Sequence, residues 1–440
     1  MRVDQIRLLN YRGHENLAID FEQGFNVIVG SNGSGKTSVL NSLCDAIASL
    51  LTHLPFNPNS YYQALGEPDI ARLKVQSSNG RFRFEQQYPV SVVAIGEAFG
   101  NACSWTVRKS DQTSNANQSG DLPGTLFSKA LQRDILQENE VSPVIYPLIA
   151  FYRATRQWNQ SQPNELSAAT TRNARIDGYN RWWDASLDSA ALQGWVIAKC
   201  LERFQLSSET GIAFDAIEDD ELALVNRALA EAVEGIKGLK YDLKQKSLLV
   251  EWQATEDGLR DSTSFQNLSH GQRAVIGLIA DIARRICLLN PQLDLEATTK
   301  TNGVVLIDEL DMHLHPRWQR LLTQGLKRAF PAVQFIVASH SPQVLGELHP
   351  DEIILLRPHG TMHPQVSYGL DSSQILEEIM GADSRTESVD KRLSALFEAL
   401  ERNEIDVARR EIELLKSDAP GIPELAGAEA LLRRKEVLGR

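Results

Sequence analysis

The chain lacks the features of a membrane-spanning, disulfide-stabilised or strongly basic protein. None of its apolar runs approaches the roughly 20 residues that a bilayer-spanning helix needs, and its opening residues contain no signal-peptide core. Its 4 cysteines are scattered over 440 residues without a CxxC pair, which favours a reducing compartment over a disulfide framework. We therefore expect a cytoplasmic protein without a membrane partner.

The chain also has no excess of basic residues. Lys and Arg total 45 against 57 Asp and Glu, which gives a formal net charge of −12. This balance disfavours a protein that coats nucleic acid by bulk charge, although it is compatible with a local basic groove. The length of 440 residues leaves room for two or three domains.

The most specific motif is GSNGSGKT, which fits the phosphate-loop pattern GxxxxGK[ST] between an apolar run, FNVIV, and a helical pattern. Glycines let successive backbone N–H groups curl around an anion, and the dipole of the following helix adds positive potential. We predict that ATP binds here, with Lys36 on the outer phosphates and the Thr37 hydroxyl as a Mg²⁺ ligand. The predicted phosphate-binding residues are Gly30, Ser31, Asn32, Gly33, Ser34, Gly35, Lys36 and Thr37.

Two later apolar strands end in polar residues that complete such a site. GVVLIDE ends in Asp308 and Glu309, and VQFIVASH ends in His340. Ligands of open α/β sheets bind at the carboxyl ends of strands. We predict that Asp308 holds Mg²⁺ and that Glu309 orients or deprotonates the attacking water. His340 is predicted to donate to the γ-phosphate, and a hydrogen-bonded histidine without a catalytic role is the alternative.

The segment LSHGQ lies where a polar turn becomes an apolar helix. Ser269 alone can cap that helix. The added Gly271 and Gln272 indicate a backbone left bare so that another group can approach it closely. The amides at the start of a helix bind negative charge, so a phosphate is one such group.

The phosphate loop, LSHGQ, LIDE and a strand-end histidine, in this order, resemble the ABC-type ATPases over most of residues 1–345. The resemblance implies an α/β fold: an ABC-type ATPase head with a mixed sheet, an antiparallel β lobe and a helical insertion. It also implies that Ser269, Gly271 and Gln272 face the γ-phosphate held by a second subunit. A homodimer or a higher even oligomer follows from that arrangement.

The same resemblance places a loop that contacts the opposite subunit directly after the acidic strand, and Asp311 is the residue expected there. An alternative is a metal site made by Asp311 with His313 and His315.

A second expected loop, the metal-facing glutamine loop, follows PLIAFY, where the sequence reads RATRQW. Either Gln157 fills this role, or Arg153 or Arg156 replaces it. The segment from here onward interleaves arginines with aromatic residues, which fits single-stranded nucleic acid, a protein interface or packed core. These residues are Tyr152, Arg153, Arg156, Trp158, Arg172, Arg175, Tyr179, Arg181, Trp182 and Trp183.

The opening IRLLNYRGHENLAIDFEQGFNVIVGSNGSGKTSVL resembles SMC, RecF and OLD-type proteins. The 232 residues from Lys36 to Leu268 are too weakly heptad for SMC arms, and the DxD pair of an OLD-type nuclease is missing after His340. The chain is most similar to the ATPase subunits of Septu-type and retron-associated anti-phage systems, through IDELDMHLHPRWQ, ASHSP and LIAFYRATRQW…RIDGYNRWW.

This resemblance implies an ATP-hydrolysing subunit whose nucleotide-dependent dimerisation controls a separate HNH nuclease. In some of these systems the partners include a reverse transcriptase and its RNA–DNA product. One alternative is a DNA-repair ATPase of the RecF/SMC type that acts directly on DNA. Another is a nucleotide-gated scaffold with little turnover.

Composition and motif order predict four regions. These are an N-terminal ATPase lobe with an antiparallel β subdomain (1–150), a largely helical insertion (151–262), a C-terminal ATPase lobe (263–370) and a helical C-terminal region (371–440). The Ser/Asn/Gly-rich stretch 113–124 is predicted to be an exposed loop.

Overall fold

We describe a computed structural model of the chain. The residues it describes are 1–52, 62–67, 70–78, 81–136, 144–155, 165–253, 262–358, 360–382 and 385–438. They form two compact units, Met1–Leu370 and Asp371–Arg440. Among the described residues, no helix combines the length and the apolar character needed to cross a membrane.

The secondary structure alternates strands and helices along the first unit and is helical in the second. The strands are β1 (Arg2–Tyr11), β2 (His14–Asp20), β3 (Phe25–Val29), β4 (Arg72–Ser78), β5 (Arg81–Gln87), β6 (Val90–Ala98), β7 (Asn101–Lys109), β8 (Asn117–Gly120), β9 (Leu148–Tyr152), β10 (Ile236–Asp242), β11 (Ser247–Trp252), β12 (Ser262–Ser264), β13 (Gly303–Ile307), β14 (Val333–Ala338), β15 (Ile353–Arg357) and β16 (Gly360–Met362). The α-helices are α1 (Lys36–Ile47), α2 (Pro123–Leu136), α3 (Glu165–Thr170), α4 (Ser189–Thr210), α5 (Glu221–Ala232), α6 (His270–Leu289), α7 (Ala297–Lys300), α8 (Pro316–Ala329), α9 (Pro342–Leu345), α10 (Ser372–Gln374), α11 (Glu387–Glu401), α12 (Ile405–Asp418) and α13 (Pro423–Leu438). Short 3₁₀ turns at Arg175–Tyr179 and Trp182–Asp188 precede α4.

The sheet that carries the candidate site has the strand order β16-β15-β3-β14-β13-β9. Its pairs from β15 to β9 are parallel, and β16 adds an antiparallel edge. Strands β3, β9, β13 and β14 are buried along their whole lengths, as is typical of parallel strands covered on both faces. Because these strands run in one direction, their carboxyl ends lie along one edge of the sheet, where ligands bind.

A separate antiparallel sheet, β2-β1-β6-β7-β8, forms the β lobe. The insertion contributes α3, α4 and α5, followed by the small antiparallel sheet β10-β11-β12. The predicted mixed sheet, antiparallel lobe and helical insertion are therefore confirmed. The central sheet brings β3 between β14 and β15, so strands distant in sequence become neighbours.

The prediction of an exposed loop over residues 113–124 is wrong in part. Residues Asn117–Gly120 form β8, which pairs antiparallel with β7, and α2 begins at Pro123. Three of the four β8 residues are exposed. An edge strand of this kind pairs through its backbone groups alone, so its polar sequence shows no alternation that could reveal it.

A buried charge cluster fixes α6 against the central sheet. The carboxylate of Asp281, which is fully buried, accepts hydrogen bonds from Arg284 Nη2 (2.7 Å), Arg285 Nε (2.7 Å) and the Tyr152 hydroxyl (2.8 Å). Burial raises the pKa of Asp281, but the two guanidinium groups and their hydrogen bonds outweigh it and leave that pKa below its usual value. Since Tyr152 ends β9, the cluster joins the helix to the edge where the candidate site lies.

The second unit contains a small helical core of its own. Helices α11, α12 and α13 pack around buried side chains that include Leu396, Ala408, Leu415 and Ala428. The described part of this region is mainly helical, as its sequence predicts.

Candidate ATP site

The phosphate loop joins β3 to α1, as predicted. Two of its glycines, Gly33 and Gly35, have φ angles of 80° and 95° in the left-handed region, where other residues are strained. A Cβ added to Gly35 would also clash with Nε2 of His14, the first residue of β2. His14 was not singled out by the sequence patterns, because only the folded β lobe brings it against the loop.

Lys36 folds over the start of the loop. Its Nζ donates to the carbonyl oxygens of Gly30 (2.9 Å) and Ser31 (3.1 Å). Burial lowers the pKa of Lys36, and the nearby carboxylates of Asp308, Glu309 and Asp311 oppose that shift. The Ser34 hydroxyl, in contrast, is buried and has no hydrogen-bond partner among the described residues. A buried unsatisfied hydroxyl inside a glycine-rich loop fits a bound phosphate that would accept from it.

Thr37 and Asp308 meet at the carboxyl edge of the sheet. The Thr37 hydroxyl donates to Asp308 Oδ2 at 3.0 Å, and Asp308 itself is buried. Asp308 is held by its backbone N–H, which donates to the carbonyl of Tyr152 at 2.9 Å. A hydroxyl beside a carboxylate is a pair of hard oxygen donors that fits Mg²⁺, which would neutralise phosphate charge when bound.

Glu309 follows Asp308 with its side chain exposed and its backbone in an unusual conformation. Its φ is 48°, in the left-handed region that favours glycine. A non-glycine residue held there stores about 1–3 kcal/mol of strain, and such residues cluster at functional sites. The next residue, Leu310, donates from its N–H to the carbonyl oxygen of Ala338 at the end of β14 (2.9 Å), which holds this turn against the sheet.

The loop that contains His340 is held by Asp311 of the same chain. Asp311 Oδ1 accepts from the Ser339 hydroxyl at 2.6 Å and from the His340 N–H at 3.3 Å. Burial and the charge of Lys36 lower the pKa of His340, although the nearby carboxylates oppose them. A lowered pKa favours the neutral imidazole, which has one ring N–H that can donate. The contact of Asp311 with an opposite subunit remains a prediction, and its link to Ser339 was missed in the sequence.

The LSHGQ segment caps α6 within its own chain. Gln272 N–H donates to Ser269 Oγ at 3.2 Å, and Ser269 N–H donates to Gln272 Oε1 at 3.1 Å, which forms a capping box. Gly271 is buried, and a Cβ there would lie 2.3 Å from the carbonyl oxygen of His313. The bare backbone at Gly271 thus has a reason inside the molecule, whereas Ser269 and His270 are exposed.

Two further alternatives from the sequence concern a metal site after the acidic strand and the residue that fills the glutamine loop. The described residues contain no group of three or more His, Cys, Asp or Glu side chains that could hold a metal ion, so a site of Asp311, His313 and His315 gains no support. Arg156 and Gln157 lie outside the described residues. Arg153, directly after β9, donates from Nη1 to Asn41 Oδ1 at 3.1 Å.

The arginine- and aromatic-rich segment contributes mainly to the packed core where it is described. Tyr152, Tyr179 and Trp182 are buried. The guanidinium of Arg175 lies 3.7 Å from the centre of the Tyr146 ring. Arg172 and Arg181 are exposed, and Trp158 lies outside the described residues.

Comparison with known proteins supports the same assignment. A family model described as an AAA domain matches residues 5–262, more than half of the chain, and a second AAA-domain model matches residues 198–346. The chain belongs to the AAA-domain ATPase family. Among its relatives in the family, the Retron Ec83 probable ATPase of Escherichia coli is 29% identical over 88% of this chain and 77% of its own length. The Septu protein PtuA of Bacillus thuringiensis is 31% identical over 87% of this chain and 84% of its own length.

Among solved structures, this AAA-domain ATPase matches an SmcHead bound to the C-winged helix domain of ScpA. The TM-score is 0.45 at 17% identity, over 84% of this chain and 99% of that one. The predicted ATPase head is confirmed by the two family models together with the sheet topology described above. The protein is an ATPase.

Proposed function

We propose that the chain is the ATPase subunit of a bacterial anti-phage defence complex and that ATP-dependent pairing of two copies controls a partner effector nuclease. One observation carries the proposal: most of the chain is similar to most of a retron probable ATPase and of a Septu protein. The proposed partners are an HNH nuclease and, in a retron arrangement, a reverse transcriptase with its RNA–DNA product.

In the proposed site, Gly30–Thr37 of one copy and Leu268–Gln272 of the other enclose ATP. The exposed Ser269 and His270 support this arrangement because a second molecule can reach the amide end of α6. A triphosphate presented there adds negative charge where the helix dipole favours it. The capping box and the His313 contact hold this end of α6 in a fixed position, so that pairing requires little rearrangement of the segment.

Pairing predicts a nucleotide-dependent change of mass. With Mg²⁺ and ATP, a Glu309→Gln variant should shift from 49.0 kDa to about twice that mass in size-exclusion chromatography with light scattering, and removal of ATP should reverse the shift. Adding His270→Glu should keep it monomeric because the carboxylate repels the triphosphate. The same change at the exposed His349, on another element, is the matched control. A Glu309→Gln protein that stays monomeric at saturating ATP would contradict the pairing.

The defence role predicts a phenotype that depends on ATP binding. Cells that carry the chain with its native neighbouring genes should resist phage. Both Lys36→Ala and deletion of the neighbouring effector gene should restore plaque formation by the phage. Efficiency of plating measures this outcome. Resistance that survives Lys36→Ala would sink the proposal, and ATPase activity stimulated by DNA without any partner would favour direct action in DNA repair.

A further inference from the structure

The polar face of α1 is connected to the insertion by side-chain contacts that the sequence motifs did not predict. Thr37, Asn41 and Asp45 are spaced four residues apart, so they lie on one stripe of α1; we call them the polar stripe. Thr37 donates to Asp308, at the proposed magnesium side of the site. The two residues behind it make contacts with other parts of the molecule.

The middle residue of the polar stripe is bound by Arg153. The Arg153 guanidinium donates from Nη1 to Asn41 Oδ1 (3.1 Å) and from Nε to the carbonyl oxygen of Trp183 (3.2 Å). It also lies 4.8 Å from the centre of the Phe151 ring. One planar group therefore joins α1, the end of β9 and the insertion, which a single lysine ammonium with its point charge does not reproduce.

The last residue of the polar stripe accepts hydrogen bonds from the hydroxyls of Tyr11 and Tyr62, and Tyr62 lies beside the insertion. Asp45 is buried and accepts from the hydroxyl of Tyr62 at 2.7 Å. The Tyr62 ring in turn lies 5.3 Å from the ring of Trp182 and 6.0 Å from that of Trp183. The tryptophan pair, Trp182 and Trp183, is thus connected to the polar stripe at two successive turns of α1.

We propose that Arg153 is a positioning residue of the ATP site: it holds the polar stripe, and hence Thr37, in register with Asp308 and ties that register to the tryptophan pair. The proposal rests on the assignment of Thr37 and Asp308 to the magnesium side of the site. Since α1 is one rigid element, a change at Thr37 on nucleotide binding moves Asn41, and Arg153 transmits that movement to the insertion.

Hydrogen exchange tests the connection directly, without relying on turnover. In the wild-type protein, Mg²⁺ with a non-hydrolysable ATP analogue should slow exchange in α1 and also in the segment Trp182–Asp188. Arg153→Met should keep the protection of α1 and lose that of the segment, and Arg153→Lys should restore part of it. Arg175→Met is the matched control, because Arg175 packs on Tyr146 and bonds carbonyl oxygens away from α1.

The same variants should differ in their need for magnesium. We expect Arg153→Met to raise the Mg²⁺ concentration for half-maximal ATPase activity about tenfold, as for the loss of a supporting contact behind a metal ligand, and Arg175→Met to leave it unchanged. If both variants shift equally, or if Arg153→Met keeps protection at Trp182–Asp188, the proposal is overturned. If Thr37→Val does not raise the magnesium requirement relative to Thr37→Ser, the site assignment itself has failed, and the proposal fails with it.

Discussion

Replacing Glu309 with glutamine should lower ATP turnover about 10²–10⁴-fold while ATP binding is retained, which is the range for losing a general base. The amide keeps the size of the side chain but can no longer take a proton from water. Asp308 and Thr37, which form the proposed magnesium side, are untouched by the change. Steady-state phosphate release gives the turnover, and equilibrium binding of a fluorescent ATP analogue gives the affinity.

Asp308→Asn is the contrasting variant for this experiment. It removes the carboxylate that accepts from Thr37, so the need for magnesium and the affinity for Mg·ATP should both change. Glu309→Gln should leave both close to those of the wild type. Turnover of Glu309→Gln at the wild-type rate would show that another group activates water, and the role assigned to this carboxylate would be wrong.

Arg285→Met should lower the free energy of unfolding of the first unit by about 3–5 kcal/mol, the effect of breaking a buried ion pair. The change removes the Nε donor to Asp281 and two bonds from Nη1, to the carbonyl oxygens of Gly178 (2.8 Å) and Asn180 (2.9 Å). Asp281 then remains buried with less compensation, because among the described residues its remaining hydrogen bonds come from Arg284 and the Tyr152 hydroxyl.

Urea unfolding followed by tryptophan fluorescence measures this effect, since all 7 tryptophans precede residue 371 and report on the first unit alone. Lys300→Met is the matched control: it removes the exposed i,i+4 pair with Glu296 and should cost no more than about 0.5 kcal/mol. An equal loss in both variants would contradict the special role of the buried cluster.

The contribution of the Asp281 cluster to folding stability depends on pH. Its carboxyl has a lowered pKa in the folded state, so its contribution to stability is complete above the usual value of an unfolded aspartate. That contribution is lost as the pH falls through the lowered folded value. The wild type should therefore exceed Asp281→Asn in unfolding free energy by a smaller amount at acid pH than at neutral pH.

The nucleotide-binding elements were predictable because each is written in consecutive residues. GSNGSGKT needs only a strand before it and a helix after it, and Lys36 and Thr37 follow from that geometry. The acidic pair and His340 were placed correctly at strand ends because apolar runs such as GVVLI and VQFIVA are recognisable as buried strands. Their meeting at one edge follows from the parallel direction of the strands.

Other features depended on contacts between residues far apart in the chain. Gly271 suggested an approaching ligand, yet the nearest obstacle to a side chain is the His313 carbonyl of the same molecule. Strand β8 was missed because an exposed edge strand pairs through its backbone and leaves no side-chain pattern. Neither the capping box nor the glycine pattern of LSHGQ could reveal that His313 packs against Gly271.

By itself, the sequence determined that the protein is an ATPase with a phosphate loop, an acidic strand end and an α/β head, because local backbone geometry demands those residues in that order. Only the tertiary structure decided that Arg153 binds Asn41, 112 positions earlier, and that Asp281 accepts from Tyr152, 129 positions earlier. Buried polar groups must find partners wherever the packing brings them, and no spacing along the chain encodes that choice.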